Sequence, residues 1–230
     1  MTTREVLQEL EACGTEQNRK VYARHGVGEH QFGVSFANLR TIGKQHLGDQ
    51  QLALELWATG NHDARMLATI IADPSAVTDK LLEEWRKDLD NYVITDALTG
   101  FVARTPLCRK KAEKWMKAKA EWTGRAGFGL LAHLAMREAT LPNDYFERYV
   151  DLIEREIHTR KNRTRDAMNS ALIAIGIRNA HLERKAVAAA KRIGVVEVDH
   201  GETGCKTPDA VEYIQRAKEH QAKQGGSRSA

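Results

Sequence analysis

The sequence predicts an all-α fold built from stacked pairs of helices. Apolar residues recur with a period of 3.6 through nearly every segment, as they do in amphipathic helices. Aromatic residues make up only 6% of the chain, and proline accounts for only 4 of the 230 residues. That composition suits helices better than strands. Similar short sequences also recur at several helix starts, which indicates a repeat architecture.

The predicted helices begin at residues that commonly cap or open a helix. Ser35 starts a helix that reaches His46, in which Phe36, Leu39 and Ile42 share one side. The later helix starts are predicted, in chain order, at Asp49, Asp63, Thr78, Asn91, Pro106, Trp122, Asn143, Arg165, His181 and Asp209.

We predict one repeat domain over residues 1–206, a C-terminal helix over 207–222 and a disordered tail over 223–230. The segment Gly194–Lys206 is expected to be loop or short extended chain. The chain ends in the polar sequence GGSRSA, which is why the tail is predicted to be disordered.

Three predicted helix starts share an arginine followed by small and apolar residues. They contain Arg65, Arg125 and Arg165. With the equivalent start near Asn91, which has Tyr92 instead of an arginine, the starts lie roughly 30–40 residues apart, the period of HEAT and armadillo repeats. The predicted fold is therefore a HEAT-like or armadillo-like superhelix, an α-solenoid. In such a fold the second helices of successive pairs line one concave surface. These arginines would be neighbours there, unless they merely occupy the ends of surface helices.

Positive charge is concentrated in two parts of a chain whose formal net charge is +4. Such segregation is what binding to a phosphate backbone requires, although lysine runs are also common on solvated helix faces. The first cluster contains Arg109, Lys110, Lys111, Lys114, Lys117 and Lys119; the second contains His158, Arg160, Lys161, Arg163 and Arg165.

The predicted helix that follows Asn91 carries the strongest candidate for chemistry. Tyr92 and Asp96 are four residues apart, so they project from the same face of the helix. Ile94, Leu98 and their neighbours form a separate apolar stripe. An aromatic ring and a carboxylate on the same helix face could stabilise a developing positive charge. The alternative is a solvated aspartate beside a half-buried tyrosine.

Several other classes of protein are disfavoured. The three cysteines, Cys13, Cys108 and Cys205, form no close pair, so we expect a reducing, cytoplasmic location. The N-terminus has no apolar core of a signal peptide, and no segment has the length of a membrane helix. The segment Asp199–Cys205 lacks a recognised metal-ligand spacing, so no metal site is predicted.

Longer motifs resemble a known family. The sequence GVSFANLRTIGK at 33–44 resembles the N-terminal motif of the DNA alkylation repair family, the AlkD-like DNA glycosylases. The sequences LALELW at 52–57 and GNHDARMLA at 60–68 resemble it as well. The Asp96 helix and the sequence WTGRA at 122–126 fall where the family carries Trp-Asp-x-x-Asp and Trp-x-Arg-Arg-Ala. The resemblance extends from Gly33 to Gly194.

The resemblance implies a basic, concave surface that binds duplex DNA, and excision of purines alkylated at N3 or N7. Asp96 would stabilise the oxocarbenium-like sugar and orient water, Tyr92 would pack against the deoxyribose, and Arg125 would hold a phosphate. No cofactor is implied. This chain departs from the family pattern in that Tyr92 replaces a tryptophan, Val93 replaces an aspartate, and no aromatic occurs near Ser170.

The sequence therefore favours a DNA repair protein that binds double-stranded, alkylated DNA and hydrolyses N-glycosidic bonds. Two alternatives are a non-catalytic DNA-binding protein on the same scaffold and a HEAT-type protein–protein scaffold. A monomer is expected, with no membrane partner. Asp96 and Tyr92 are the predicted catalytic residues. The predicted DNA-binding residues are Arg125, Arg65, Arg165, Lys161, Arg163, Lys110 and Lys114.

Overall fold

The structure, a computed structural model, describes the backbone of residues 1–226 and the side chains of residues 1–221. Helices account for all the regular structure in this part of the chain, and an isolated β-bridge joins Gly14 and Val34. The helices are α1 (Thr3–Cys13), α2 (Glu16–Arg24), α3 (Phe36–Gly43), α4 (Gln50–Ala58), α5 (His62–Ile71), α6 (Asp79–Lys87), α7 (Tyr92–Val102), α8 (Cys108–Trp115), α9 (Glu121–Arg137), α10 (Asn143–Glu156), α11 (Asn162–Arg178), α12 (Ala180–Ile193) and α13 (Ala210–Gly226), with a 3₁₀ turn at Ile157–Thr159.

Side-chain caps explain where many of these helices begin. A side-chain oxygen accepts a hydrogen bond from a backbone N–H in the first turn, which satisfies a donor that the helix itself leaves unpaired. The capping residues are Thr2, Thr15, Ser35, Asp49, Asn61, Thr78, Asn91 and Asn179. The starts predicted at Ser35, Asp49, Thr78 and Asn91 are thus confirmed.

Three of the sequence predictions for α3 and α5 are wrong. Helix α3 ends at Gly43 and does not reach His46. The cap of α5 is Asn61 rather than Asp63, because the Asp63 side chain is fully buried and bonds elsewhere. Phe36 does not join Leu39 and Ile42 in the core, because 46% of its surface is exposed.

The chain groups into two compact units. The first contains Met1–Cys108 with Gly201–Thr203, and the second contains Arg109–His200 with the described residues from Gly204 onward. The predicted single domain over residues 1–206 stays a prediction. Helix α13 includes residues 223–226 of the predicted tail. Residues 227–230 of that tail lie outside the described residues.

In the first unit, α5 packs against α3, α4 and α7. Helices α5 and α7 run parallel: their first turns line one small cavity, and Arg104, just after α7, donates to the carbonyl of Thr69 near the end of α5. An aromatic stack in the core joins Trp57 to Trp85, with ring centroids 4.3 Å apart and planes within 5°. The predicted apolar stripe of α7 is buried at Ile94, Leu98 and Phe101.

In the second unit, α9 and α11 form the most extensive helix pair and also run parallel. Arg125 contacts Asp166 in their early turns, and Arg178 contacts Ala135 at their ends. Gly127 allows α9 to approach the end of α8, since a Cβ at this position would lie 2.3 Å from the backbone nitrogen of Met116. Parallel helices from successive pairs are the arrangement expected of a helical-repeat protein.

Candidate nucleic-acid interface

Tyr92 and Asp96 lie on α7, one turn apart, as the spacing predicts. The side chain of Asn91 fixes the start of this helix by accepting from the backbone N–H groups of Val93 and Ile94, at 3.0 and 3.1 Å. Asp96 is exposed and Tyr92 is half-buried. A carboxylate is thereby presented at the surface beside an aromatic ring on a rigid helix.

The ring of Tyr92 is held by a residue that the sequence analysis missed. Its hydroxyl is hydrogen-bonded to Nδ1 of His25, and the two rings meet edge to face with centroids 5.7 Å apart. His25 immediately follows α2 and lies 67 residues earlier in the chain. No local sequence signal connects such distant residues, so the pairing could not be read from spacing.

Arg65 is tied into the first unit. Its guanidinium lies 3.3 Å from the carboxylate of Asp88 and donates to the carbonyl of Trp57, and its side chain is only 18% exposed. Asp88 also accepts from the indole of Trp57 at 2.8 Å. The contacts give Arg65 a structural role, and its predicted role in DNA binding stays a prediction.

Arg125 is also held by protein groups. Its guanidinium donates to Asp166 at 2.7 Å and to the carbonyl of Arg163 at 3.3 Å, and its side chain is 11% exposed. A salt bridge of this kind locks α9 to α11. The phosphate contact that the family resemblance implies for Arg125 therefore competes with this internal pairing.

The remaining predicted DNA-binding residues lie on α8 and at the start of α11. Lys110 and Lys114 are exposed on α8, whereas their neighbour Lys111 is fully buried. Lys161 is exposed and immediately precedes α11, and Arg163 and Arg165 are half-buried in its first turn. The second sequence cluster therefore only partly reaches solvent.

Several arginines close the ends of neighbouring helices. Arg104 donates to Thr69 near the end of α5, at 2.9 Å. Arg160 donates to Ala118 at 2.9 Å and to Met116 at 3.2 Å, just after α8. Carbonyls at helix C-termini lack partners within the helix and carry partial negative charge, so cations stabilise them. Part of the positive charge seen in the sequence is therefore structural.

Three exposed lysines flank residues that Arg160 joins; we call Lys117, Lys119 and Lys161 the lysine cluster. The two bonds from Arg160 hold the 116–118 segment against the segment that leads into α11. Thr164 donates to the carbonyl of Glu121 at 2.9 Å, which joins the starts of α9 and α11. All three lysines are exposed, and the described residues provide no ion pair for them. The cluster presents three exposed cations without an ion pair near two helix starts, and the carboxylate of Glu121 lies between these starts.

Neither a metal centre nor a membrane helix is evident in the described part of the chain. Among residues 1–221, no group of three or more His, Cys, Asp and Glu side chains is arranged to hold a metal ion. None of the described helices has the length and apolar character needed to cross a bilayer.

Comparison with known sequences identifies the family. A sequence model of the DNA alkylation repair enzymes matches residues 6–214, which is most of the chain. The chain belongs to the DNA alkylation repair enzyme family. The resemblance inferred from the motifs is confirmed, and the match extends beyond them at both ends.

A solved structure supports the same assignment at the level of the fold. It is described as representing a new family of proteins related to the HEAT-like repeat DNA glycosylases with affinity for branched DNA structures. The two chains are 31% identical, the match covers 96% of this chain and 95% of the other, and the TM-score is 0.88. The predicted all-α, HEAT-like fold is confirmed.

Two bacterial relatives also match over nearly their full length. Uncharacterized protein Lin0241 of Listeria innocua is 28% identical over 217 residues, covering 91% of this chain and 94% of the relative. Uncharacterized protein Lmo0209 of Listeria monocytogenes is 27% identical over the same shares. Both Listeria species therefore have a protein that is similar to this chain over nearly all of its length.

Proposed function

We propose that this member of the DNA alkylation repair enzyme family binds DNA and prefers branched DNA to a linear duplex. The observation that carries the proposal is the lysine cluster, which presents three exposed cations in one place. Most contacts between a protein and the DNA backbone are made by such side chains, and their affinity comes from release of counterions.

The cluster lysines differ in their contacts from several arginines. Because Arg160, Arg178 and Arg104 donate to backbone carbonyls, they hold the helices in place. The cluster lysines make no such contact, so a phosphate would not have to displace a protein partner. The preference for branched DNA is carried over from the solved relative, which has that affinity and is 31% identical.

The first test compares a four-way junction with a linear duplex of the same length, by fluorescence anisotropy at several salt concentrations. The triple variant Lys117→Ala/Lys119→Ala/Lys161→Ala should bind both DNAs more weakly. Its slope of log affinity against log salt should be shallower by about 0.9 for each lysine that contacts a phosphate.

The chain offers a matched control with the same change of charge. Lys20 and Lys80 are 69% and 87% exposed and each lies near a glutamate one turn away, and Lys87 is also exposed. The variant Lys20→Ala/Lys80→Ala/Lys87→Ala should keep nearly full affinity. Equal losses in the two variants would show that net charge alone is responsible. Absence of DNA binding by the wild type at low salt would contradict the proposal and favour the protein–protein scaffold.

A second candidate function is excision of alkylated purines. The observation that favours it is the exposed carboxylate of Asp96, one turn from a tyrosine anchored by His25. A purine alkylated at N3 or N7 is a cationic leaving group, so the enzyme needs chiefly to stabilise the positive charge that develops on the sugar. The Asp96 carboxylate supplies a negative charge for that purpose, and the Tyr92 ring supplies a surface against the deoxyribose.

Single-turnover release of methylpurines from methylated duplex DNA tests this activity. Asp96→Asn should slow release by about 100-fold or more, the effect expected when an electrostatic stabiliser is lost. Asp144→Asn, an exposed aspartate on α10, serves as the control and should release base at the wild-type rate. If the wild type binds DNA but releases no base, the protein is a binding protein without glycosylase activity.

A further inference from the structure

Helix α3 exposes an aromatic ring where the sequence pattern predicts a core residue. Phe36 is 46% exposed, and the guanidinium of Arg40 lies 4.6 Å from the centre of its ring. Arg40 is itself exposed, one turn further along the helix. A large apolar ring in water is unfavourable unless something covers it, and the guanidinium covers only part of it.

The packing of α3 explains why this face stays outside. Leu39, Ile42 and Gly43 are buried and face the interior. A Cβ at Gly43 would lie 2.7 Å from Cγ2 of Ile70, so α3 and α5 approach each other closely at this point. With that face fixed, Phe36 and Arg40 are directed to solvent.

The exposed face of α3 is a stripe of one ring and two cations. Phe36, Arg40 and Lys44 are spaced by four residues, and the backbone at Lys44 is still helical. We call these three residues the α3 stripe. Neither Arg40 nor Lys44 has an ion pair among the described residues, and the sequence from 30 to 48 contains no Asp or Glu. The stripe is therefore basic, and the nearest acidic residues in the sequence are Glu29, seven residues before Phe36, and Asp49, five residues after Lys44.

We propose that the α3 stripe binds an unpaired nucleotide of branched DNA. The base stacks on the ring of Phe36, and the cations of Arg40 and Lys44 contact the neighbouring phosphates. Proteins that bind single strands combine an aromatic platform with a basic track in this way, and an arginine beside the ring adds a cation–π contribution.

The composition of the stripe favours a nucleic acid over a protein partner. A protein-docking helix would present several apolar side chains at helical spacing, whereas the α3 stripe presents one large ring followed by two cations. The inference rests on the proposed function, because it assumes that the protein binds DNA, and it goes further by naming where unpaired nucleotides are held.

A forked duplex with 2-aminopurine in its single-stranded arm tests the proposal, because stacking quenches the fluorescence of this base. The wild type should quench the probe and bind the fork more tightly than a blunt duplex. Phe36→Leu keeps an apolar side chain but removes the aromatic face, and it should lose the quenching and about tenfold of the fork affinity. Phe36→Trp should retain both.

Two controls make the result specific. Phe36→Leu should bind the blunt duplex as the wild type does, which also shows that the variant is folded. Tyr213→Leu removes another aromatic residue that is 46% exposed, on α13, and should bind the fork normally.

The outcomes separate this inference from the proposed function. If the lysine-cluster variant loses DNA binding while Phe36→Leu quenches and binds the fork like the wild type, the inference is overturned and the proposed function stands. If the wild type binds neither DNA, both fail. If Phe36→Leu loses fork affinity and blunt-duplex affinity equally, the stripe is a general DNA contact and not a site for unpaired nucleotides.

Discussion

Asp63 fixes the chain entry into α3 with a single carboxylate. Although fully buried, it accepts hydrogen bonds from three successive backbone N–H groups, those of Phe32, Gly33 and Val34, at 2.6, 3.1 and 2.9 Å. A buried charge is tolerated only when hydrogen bonds replace its hydration, and three donors achieve that here. Asp63 therefore joins the start of α5 to the segment that precedes the α3 stripe.

Replacing Asp63 with asparagine should destabilise the protein by about 2–4 kcal/mol. The amide offers one acceptor oxygen in place of two and directs an N–H₂ group at backbone donors, so buried donors lose their partner. Chemical denaturation measures the change. Asp49→Asn is the matched control and should cost little, because asparagine caps a helix about as well as aspartate.

His62 makes stability depend on pH. Burial lowers the pKa of its imidazole below the ordinary value of 6.5, outweighing the nearby carboxylates of Asp63 and Asp90, and the buried Nε2 atom has no hydrogen-bond partner. The unfolded chain therefore takes up a proton at a higher pH than the folded chain. Stability from this residue is present above pH 6.5 and is lost as pH falls toward the folded pKa.

We predict that His62→Gln reduces the dependence of unfolding free energy on pH below about 6.5, because glutamine does not titrate. Denaturant titrations at several pH values for the wild type and variant measure the difference. His181→Gln, an exposed histidine paired with Glu147, is the control and should leave the effect of His62 in place. Parallel pH profiles for wild type and His62→Gln would contradict the prediction.

At the scale of helices, arginines from one element close the end of another. Arg178, the last residue of α11, donates to four carbonyls around the end of α9: Ala135, Glu138, Ala139 and Leu141, at 2.7–3.1 Å. Its guanidinium also lies 4.7 Å from the ring of Phe146. The planar fork of arginine suits this task because it offers five donors in fixed directions.

Arg178→Ala should cost about 2–4 kcal/mol of stability, since several carbonyls lose a charged donor. Arg178→Lys should recover less than half of that loss, because an ammonium group cannot reach carbonyls in several directions at once. Urea denaturation followed by circular dichroism measures both variants. Full recovery by lysine would show that charge, rather than the fork geometry, closes the helix.

At the scale of the whole molecule, the net charge of +4 does not show which basic residues are exposed and available to bind DNA. Arginines are largely engaged with protein carbonyls and carboxylates, whereas the lysine cluster and the α3 stripe remain available to DNA. If the cluster makes three phosphate contacts, the affinity for a blunt duplex should fall about 40-fold between about 50 and 200 mM monovalent salt.

The fork-to-blunt affinity ratio should keep the part that stacking on Phe36 supplies over the same salt range, because only the phosphate contacts of Arg40 and Lys44 depend on counterion release. Anisotropy titrations with both DNAs measure this ratio. A fork preference that disappears at high salt would show that extra phosphate contacts, and not stacking, produce it.

The fold was largely predictable because its determinants are local. Apolar periodicity and side-chain caps give the helices, and the period of the repeats gives their arrangement. The errors arose where residues distant in the sequence determine the structure. The Asp63 carboxylate bonds to the backbone of residues 32–34 and does not cap α5. The close approach of Gly43 to Ile70 fixes the buried face of α3 and leaves Phe36 outside the core.

The candidate sites were less predictable for the same reason. Spacing alone placed Tyr92 and Asp96 together on α7, but it could not reveal His25 beside Tyr92. Nor could it separate arginines that bond to backbone carbonyls from lysines that stay exposed, since both appear in the sequence as runs of positive charge.

The arginine closures also set an order in which the chain can be completed during synthesis. Arg104 follows its target carbonyl by 35 residues, Arg160 follows its targets by 42 and 44, and Arg178 follows its targets by 37–43. As the chain leaves the ribosome from its N-terminus, the ends of α5, α8 and α9 must wait for the next part of the chain before these contacts form. On a ribosome stalled before Arg178, the nascent chain would still have the carbonyls at the end of α9 hydrogen-bonded to water.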